Sequence, residues 1–323
     1  MIKKDIYNRE LKTELKASSK DRLYRFILSD GMVRGAIVKT TSMVNQMSAN
    51  HNLGEIETLV LGQGYIAASL LTANLKSSDR ISLNIDCSGV IKGLDVDSNA
   101  FGEIRGYLKN PTFSKELSGA ERSLSSLFGA GFLTVTKYLT EAKTPYSGKI
   151  ILEYGTVAED LANYFLKSEQ TPTAFNLSLH FNDSSNGSDE SNFMVDGAGG
   201  LFLQAMPGAD LKVVDEAEKI MSQLSYSDSA LSLSSLFANN VEPDILILEK
   251  FETMSPILLG NYRVEFFCRC NLKTITNYIS KLPQDELVDI AKNGPFPLEI
   301  RCNHCNTLYQ FNQPEIEKMI KKS

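Results

Sequence analysis

Cys268-Arg269-Cys270 and, 31 residues later, Cys302-Asn303-His304-Cys305 put four of the chain's five cysteines into two close pairs near its C-terminal end. Such spacing restricts the fold to one in which the intervening loop closes on itself, because four thiolates can then converge on one tetrahedral Zn²⁺. The same thiolates are oxidisable, so the pattern also suits a redox sensor. Two local disulfides or unrelated buried thiols would share the spacing, and compartment weighs between them. The N-terminal run Met1-Ile-Lys-Lys-Asp5, followed by Arg9, Glu10, Lys12, Glu14 and Lys16, lacks the apolar stretch of a secretory signal. The expectation is therefore a reducing, cytoplasmic setting in which Cys268, Cys270, Cys302 and Cys305 bind zinc. His304 sits inside the second pair, but four thiolates already fill a structural site, so it is expected to be a surface residue. Cys87 stands alone in a strand-like segment and is expected to act as a small buried hydrophobe.

A chain of 323 residues with 42% hydrophobic and 22% charged residues can build about two domains with real cores. No run of 18 apolar residues occurs, so no membrane span is expected. A net charge of −6 and a pI near 5.3 give no general attraction to phosphate backbones. The cysteine-bearing segment 259–323 is itself balanced, nine Lys/Arg against seven Asp/Glu, which disfavours a nucleic-acid surface.

Up to about Pro207 the chain alternates β-rich runs with amphipathic stretches, the pattern of one mixed α/β domain. Ile81–Ile85 alternates apolar and polar residues as a half-buried strand does, and Lys149–Glu153 is a second strand candidate. From Thr156 to Leu166, Val157, Leu161 and Tyr164/Phe165 recur at helical spacing behind a Thr156 cap with Glu159 three residues on. The polar run 182–192 predicts a solvated loop within this domain. After Pro207, Val213/Val214, Ala217, Ile220/Met221 and Leu224 predict an amphipathic helix. Seven of the fourteen residues from Ser222 to Ser235 are serine, a middling helix former, so 208–258 reads as a marginally stable helical linker. A stable helix with a serine-rich wet face fits the composition equally. The cysteine module is expected to occupy 259–323.

One competing signal is Ile56–Leu61 followed by Gly62-Gln-Gly64-Tyr-Ile-Ala67, which has the look of strand, tight turn and helix in a dinucleotide fingerprint, with Asp79 or Asp86 as the ribose carboxylate. A lone match of this kind more often marks close packing. The histidines His51, His180 and His304 form no recognisable catalytic set, and no enzyme activity is expected.

Several segments together resemble the bacterial 33-kDa chaperonin family: Ile104-Arg-Gly-Tyr107, Ser168-Glu-Gln-Thr-Pro-Thr173, Ala198-Gly-Gly-Leu-Phe-Leu-Gln-Ala-Met-Pro207, and the C-x-C/C-x-x-C module with Tyr309-Gln-Phe311. The resemblance runs from about Asp21 to Pro314. It implies an α+β architecture with an N-terminal α/β domain of β-sheets and packed helices (1–207, including a 1–20 extension), a metastable helical linker (208–258) and a small C-terminal zinc-binding domain (259–323). It also implies a redox-regulated, ATP-independent holdase, inactive while zinc is bound and reduced. On oxidation the family pattern implies the disulfides Cys268–Cys270 and Cys302–Cys305, zinc release, loss of the module as the linker's docking partner, binding of unfolded client proteins, and a change from monomer to homodimer. A Cys-x-Cys disulfide joins Cα atoms about 6.6 to 7 Å apart in extended chain, the upper edge of what the bond spans, so it is expected to be strained and readily reduced. The extension, the 182–192 insertion and Asn271-Leu272-Lys273 depart from the family pattern. The alternatives are a zinc-ribbon nucleic-acid-binding protein and an NAD-dependent oxidoreductase with structural zinc.

Overall fold

Period-two alternation builds most of the N-terminal part: the strand Arg80–Cys87, for example, buries Ile81, Leu83 and Ile85 and turns Ser82 and Asn84 outward. The computed structural model describes residues 1–4, 20–116, 123–182, 193–225 and 231–320. The chain order begins with β1 (Arg22–Leu28), β2 (Val33–Lys39), α1 (Thr41–His51) and α2 (Glu55–Leu71), then β3 (Arg80–Cys87), β4 (Gly93–Asn99) and β5 (Glu103–Leu108). Next come α3 (Leu124–Phe128), β6 (Gly131–Tyr138), β7 (Tyr146–Ile151), α4 (Val157–Ser168), β8 (Thr173–Asn182) and β9 (Met194–Ala205). Three helices follow, α5 (Leu211–Gln223), α6 (Leu233–Ala238) and α7 (Pro243–Lys250), then β10 (Ile257–Arg263) and β11 (Glu265–Phe266). The chain closes with α8 (Leu272–Ile279), α9 (Gln284–Asn293), β12 (Leu298–Arg301), β13 (Leu308–Phe311) and α10 (Gln313–Ile320).

The fold is α+β. Of three sheets, one has the order β10-β1-β2-β9-β8 and is antiparallel throughout; a second has the order β11-β5-β4-β3-β6-β7, antiparallel except where β11 runs parallel to β5; and β12 pairs with β13 in an antiparallel third. Helix α2 lies between the sheets, touching β3, β4 and β5 on one side and β2, β8 and β9 on the other. Thirteen of its seventeen residues are buried. This overturns the strand reading of Ile56–Leu61 and with it the dinucleotide fingerprint, since the whole stretch is one helix. Apolar all round, it offers no periodicity by which a short window tells helix from strand. Gly62 and Gly64 serve packing: a Cβ would lie 2.7 Å from Leu179 at the first and 3.3 Å from Val96 at the second. The segment Glu55–Asn74 is long and apolar enough to cross a membrane by composition, but 83% of its apolar window is buried against protein.

The strands predicted at 81–85 and 149–153 are β3 and β7, and the predicted helix is α4, whose Thr156 accepts from the Glu159 N–H at 3.3 Å while donating to the Glu159 carboxylate at 2.7 Å. The helix predicted from Val213 is α5. The polar loop lies outside the described residues at 183–192, as do residues 5–19 of the extension and Ser227 and Ser229 of the serine-rich run. Cys87 is half-buried at the end of β3, less enclosed than expected.

Helices α5 to α7 cover the outer face of the β1–β2–β9 sheet. Met221, Leu224, Leu233, Phe237, Leu246, Ile247 and Phe251 meet Phe26, Leu28, Ile37, Leu201 and Leu203 in a separate apolar cluster. At Gly199 a Cβ would stand 2.2 Å from the Phe237 ring, and at Gly200, on the opposite face of β9, 2.5 Å from Ile66, so the paired glycines of the 198–207 motif admit a helix closely on both sides. Of the described serines, Ser222 and Ser225 are exposed, whereas Ser232 and Ser234 are buried and structural. Ser232, 1% exposed, caps α6 by accepting from Ser235 N at 3.2 Å, and Ser178 Oγ donates to Ser234 Oγ at 2.6 Å. The docking partner of this segment is the sheet, where the sequence reading looked to the cysteine module. Strand β10, which straddles residue 259, pairs with β1 from Arg22↔Arg263 to Ile27↔Ile257, so the N-terminal sheet extends past that position.

Candidate metal centre

The two cysteine pairs are delivered by different local devices. Glu265 and Phe266 pair with Glu103 and Ile104 of β5, and Phe267 N donates to the Ile104 carbonyl at 2.9 Å, so the chain leaves the sheet extended. Extended backbone sends alternate side chains to one side. Cys268 and Cys270 therefore face inward, 1% and 9% exposed, while Arg269 between them reaches out to Glu103 at 2.8 Å. Asn271 then caps α8, accepting from Thr274 N at 2.9 Å. The second pair sits in the turn between β12 and β13. Cys302 O accepts from Asn306 N at 2.7 Å and Cys305 N at 3.3 Å, Cys302 N donates to Thr307 O at 3.0 Å, and Asn306 takes a φ of 53° to complete the reversal.

All four sulfurs lie within 4.8 Å of one another, with Cys268–Cys302 at 3.8 Å and Cys270–Cys305 at 3.3 Å. A tetrahedron with metal–sulfur bonds of about 2.3 Å has edges near 3.8 Å, so the donor set fits a four-thiolate metal site. The surroundings suit thiolates as well. Tyr309 Oη donates to Cys270 Sγ at 3.2 Å, Thr307 Oγ1 is 3.2 Å from Cys305 Sγ, and Arg105 Nη1 points at Cys268 Sγ from 3.8 Å. Cys302 and Cys305 donate to Cys268 and hold its thiol far below the ordinary range. Donation to Cys268 pushes Cys302 up to about 11 and raises Cys305 further. Four thiolates this close repel each other, and a bound dication is what allows all of them to ionise together.

The sequence reading brought the four cysteines together but missed the groups that seat them. Arg105 and Tyr107 belong to the Ile104–Tyr107 motif, whose every residue serves the contact with the module. Ile104 O takes the Phe267 N–H, Arg105 faces Cys268, Gly106 O accepts from Tyr65 Oη at 3.0 Å beneath Phe266, and Tyr107 meets the His304 ring edge-on at 5.4 Å. His304 is half-buried, not a free surface residue: its Nε2 lies 3.3 Å from Asp97 Oδ2, and Asp97 also accepts from Arg105 Nη2 at 3.0 Å. Burial raises the Asp97 carboxyl, but the hydrogen bonds from His304 and Arg105 outweigh it and hold it down at about 2. Asp95, Asp97 and His304 form a second group within metal-binding reach, but Arg105 already neutralises Asp97. The periodicity of β5 marks it as a strand, whereas its role as the module's seat depends on contacts more than 150 residues away in sequence.

The Hsp33 family model matches residues 21–312. The chain is similar to the 33 kDa chaperonin of Desulforamulus reducens, at 32% identity over 94% of this chain and 98% of that one. It is also similar to the 33 kDa chaperonin of Aquifex aeolicus, at 29% identity over 96% of this chain and 93% of that one. The crystal structure of the heat shock protein 33 homologue from Thermotoga maritima superposes with a TM-score of 0.79 at 30% identity, covering 94% of this chain and 99% of that one. With the whole architecture and the cysteine module both matched, this chain belongs to the Hsp33 family.

Proposed function

We propose that this chain is a redox-regulated, ATP-independent holdase whose reduced form holds Zn²⁺ on Cys268, Cys270, Cys302 and Cys305 and is inactive. Membership of the family supports a chaperone role. The observation that carries the finer reading is the placement of four mutually close sulfurs in a small module that directly follows, along the chain, a helical segment covering a large apolar surface. A module of this size buries too little to be secure without a staple, and a structural zinc site supplies roughly 10 to 16 kcal/mol of apparent binding free energy. Each cysteine pair gives up two electrons as its S–S bond forms. A peroxide accepting them with two protons leaves as two waters, and two such events remove all four metal ligands. The pairing Cys268–Cys270 and Cys302–Cys305 rests on the family resemblance; the nearest sulfurs face each other crosswise, 268 with 302 and 270 with 305.

Loosening of the module reaches the linker through the chain. Ser255 and Pro256 alone separate the 252–254 turn from β10, and β10 runs directly into β11 and the first cysteine pair. Helix α6 has six residues and α7 eight, far below the length at which an isolated helix persists, so neither survives without its sheet. Their release would bare Phe26, Leu28, Ile37, Leu201 and Leu203, an apolar face suited to unfolded proteins and to a second copy of the chain. The protein would thus act in the cytoplasm, without catalysis, as a monomer when reduced and a dimer when oxidised. The test is light scattering of an unfolding client with no ATP present. Protein treated with peroxide and mild heat should suppress aggregation, and reductant with zinc should reverse this. Oxidised, metal-free protein that leaves scattering unchanged at several-fold molar excess would refute the reading, and peptide mapping of the same sample fixes the pairing.

A further inference from the structure

Residues 1–4 precede the family-matched part of the chain, which begins at residue 21, yet they lie across both cysteine loops. Met1 N donates to the Cys270 carbonyl at 2.5 Å, and Ile2 N donates to Thr307 Oγ1 at 3.1 Å, so two consecutive residues touch the first cysteine pair and then the end of the loop that carries the second. Asn50, 1% exposed near the end of α1, ties this segment to the core. Its Nδ2 donates to Ile2 O and to Cys305 O, each at 3.1 Å, while its Oδ1 accepts from Lys4 N at 3.1 Å. Gln46 Nε2 donates to Lys4 O at 3.0 Å, and Asn306 Nδ2 donates to the Asn50 carbonyl at 3.0 Å. The Met1 side chain packs against the main core, and Lys3 lies 3.7 Å from Glu265 of β11. Nearly all of these bonds use backbone groups, which is why no sequence motif announces them.

We infer that residues 1–4 form an intramolecular strap that binds the two cysteine loops to each other and to α1, and so sets how readily the module opens. This rests on the reading that module opening is the switch. A module held by metal alone would open as soon as its ligands are lost. With the strap, the loops stay registered until several hydrogen bonds also break. The strap therefore raises the oxidant dose needed for activation in this chain relative to one that lacks the segment.

The experiment compares the full chain with one whose residues 1–4 are replaced by a single Met, both reduced and zinc-loaded. Amide exchange is followed at 302–307 and at β3 and β4, and metal loss to a competing chelator is timed. Truncation should speed exchange at 302–307 and metal loss roughly tenfold or more, the scale set by two or three hydrogen bonds of ordinary net worth, while β3 and β4 stay protected. Unchanged exchange and metal loss would overturn the strap. Should truncation also loosen β3 and β4, Lys4→Pro decides, because it deletes the strap's own N–H donor to Asn50 Oδ1: acceleration confined to 302–307 supports the strap, and none refutes it. A full chain that never takes up zinc, but whose 302–307 exchange still responds to truncation, would refute the zinc reading and leave the strap standing.

Discussion

The two larger sheets of this protein carry covers of opposite character. The β1–β2–β9 sheet is covered by α5 to α7 through large apolar side chains, with Phe26, Ile37, Leu201, Phe237, Ile247 and Phe251 no more than 1% exposed. The β5 edge of the other sheet carries the cysteine module through a two-residue strand and polar contacts: Arg269 with Glu103, His304 with Asp97, and Arg105 with Cys268. Phe266, set against Tyr65 and His51 with ring centroids 6.0 and 6.3 Å apart, is an apolar anchor between them, and beyond it the module's own small core joins the main cluster. Apolar burial is insensitive to redox chemistry and charge, whereas a polar seat works only while the module keeps its shape. Under the proposed function, the difference puts the switch in the second cover and the concealed binding surface under the first.

The largest expected effect comes from Cys305→Ser. Taking one ligand from a site worth roughly 10 to 16 kcal/mol should collapse zinc retention and expose the amides of 268–311 to exchange, while β3 and β4 stay protected. One zinc per chain retained in that variant, counted by metal analysis, would break the comparison at its metal end. Phe237→Ala attacks the other cover. Emptying a fully buried aromatic site against Gly199 should cost about 3 to 5 kcal/mol, so the reduced, zinc-loaded protein should bind an apolar dye and hold clients without oxidant. A variant that stays inert would mean the linker does not conceal the binding surface.

A smaller effect is expected at Ser232. Substitution by Ala raises intrinsic helix propensity by a few tenths of a kcal/mol, but here it removes a buried cap worth about 0.5 to 2 kcal/mol. Loss of the cap should win, and activation, read by client light scattering, should need less peroxide; a higher threshold would restore the propensity argument. The smallest effect concerns acid. The hydrogen bonds from His304 and Arg105 hold the Asp97 carboxyl down at about 2 against 3.8 ordinarily, so its contribution to seating the module is complete above about pH 4 and is lost as pH falls toward 2. Asp97→Asn should flatten that part of the pH dependence of 302–307 amide exchange; an unchanged profile would show that the His304–Asp97–Arg105 contacts do not seat the module.

Local sequence was sufficient for the grouping of the four cysteines, for β3, β7 and α4 with its Thr156 cap, and for α5. In each case the signal is a spacing of two, three or four residues, which the backbone geometry of strand, turn or helix converts directly into a shared face. It misread Ile56–Leu61 as a strand, because a helix buried on all sides between two sheets leaves no polar face to mark its period. The serines of 222–235 read as a weak or wet helix because composition cannot distinguish a cap from an interior position. Tertiary structure alone decided which sheet each cover takes: the linker lies on β1–β2–β9 instead of the module, β10 belongs to the N-terminal sheet, and Arg105, His304 and residues 1–4 converge on the cysteines. These are contacts between residues far apart in sequence, made through backbone carbonyls and single side chains, and no period along the chain encodes them.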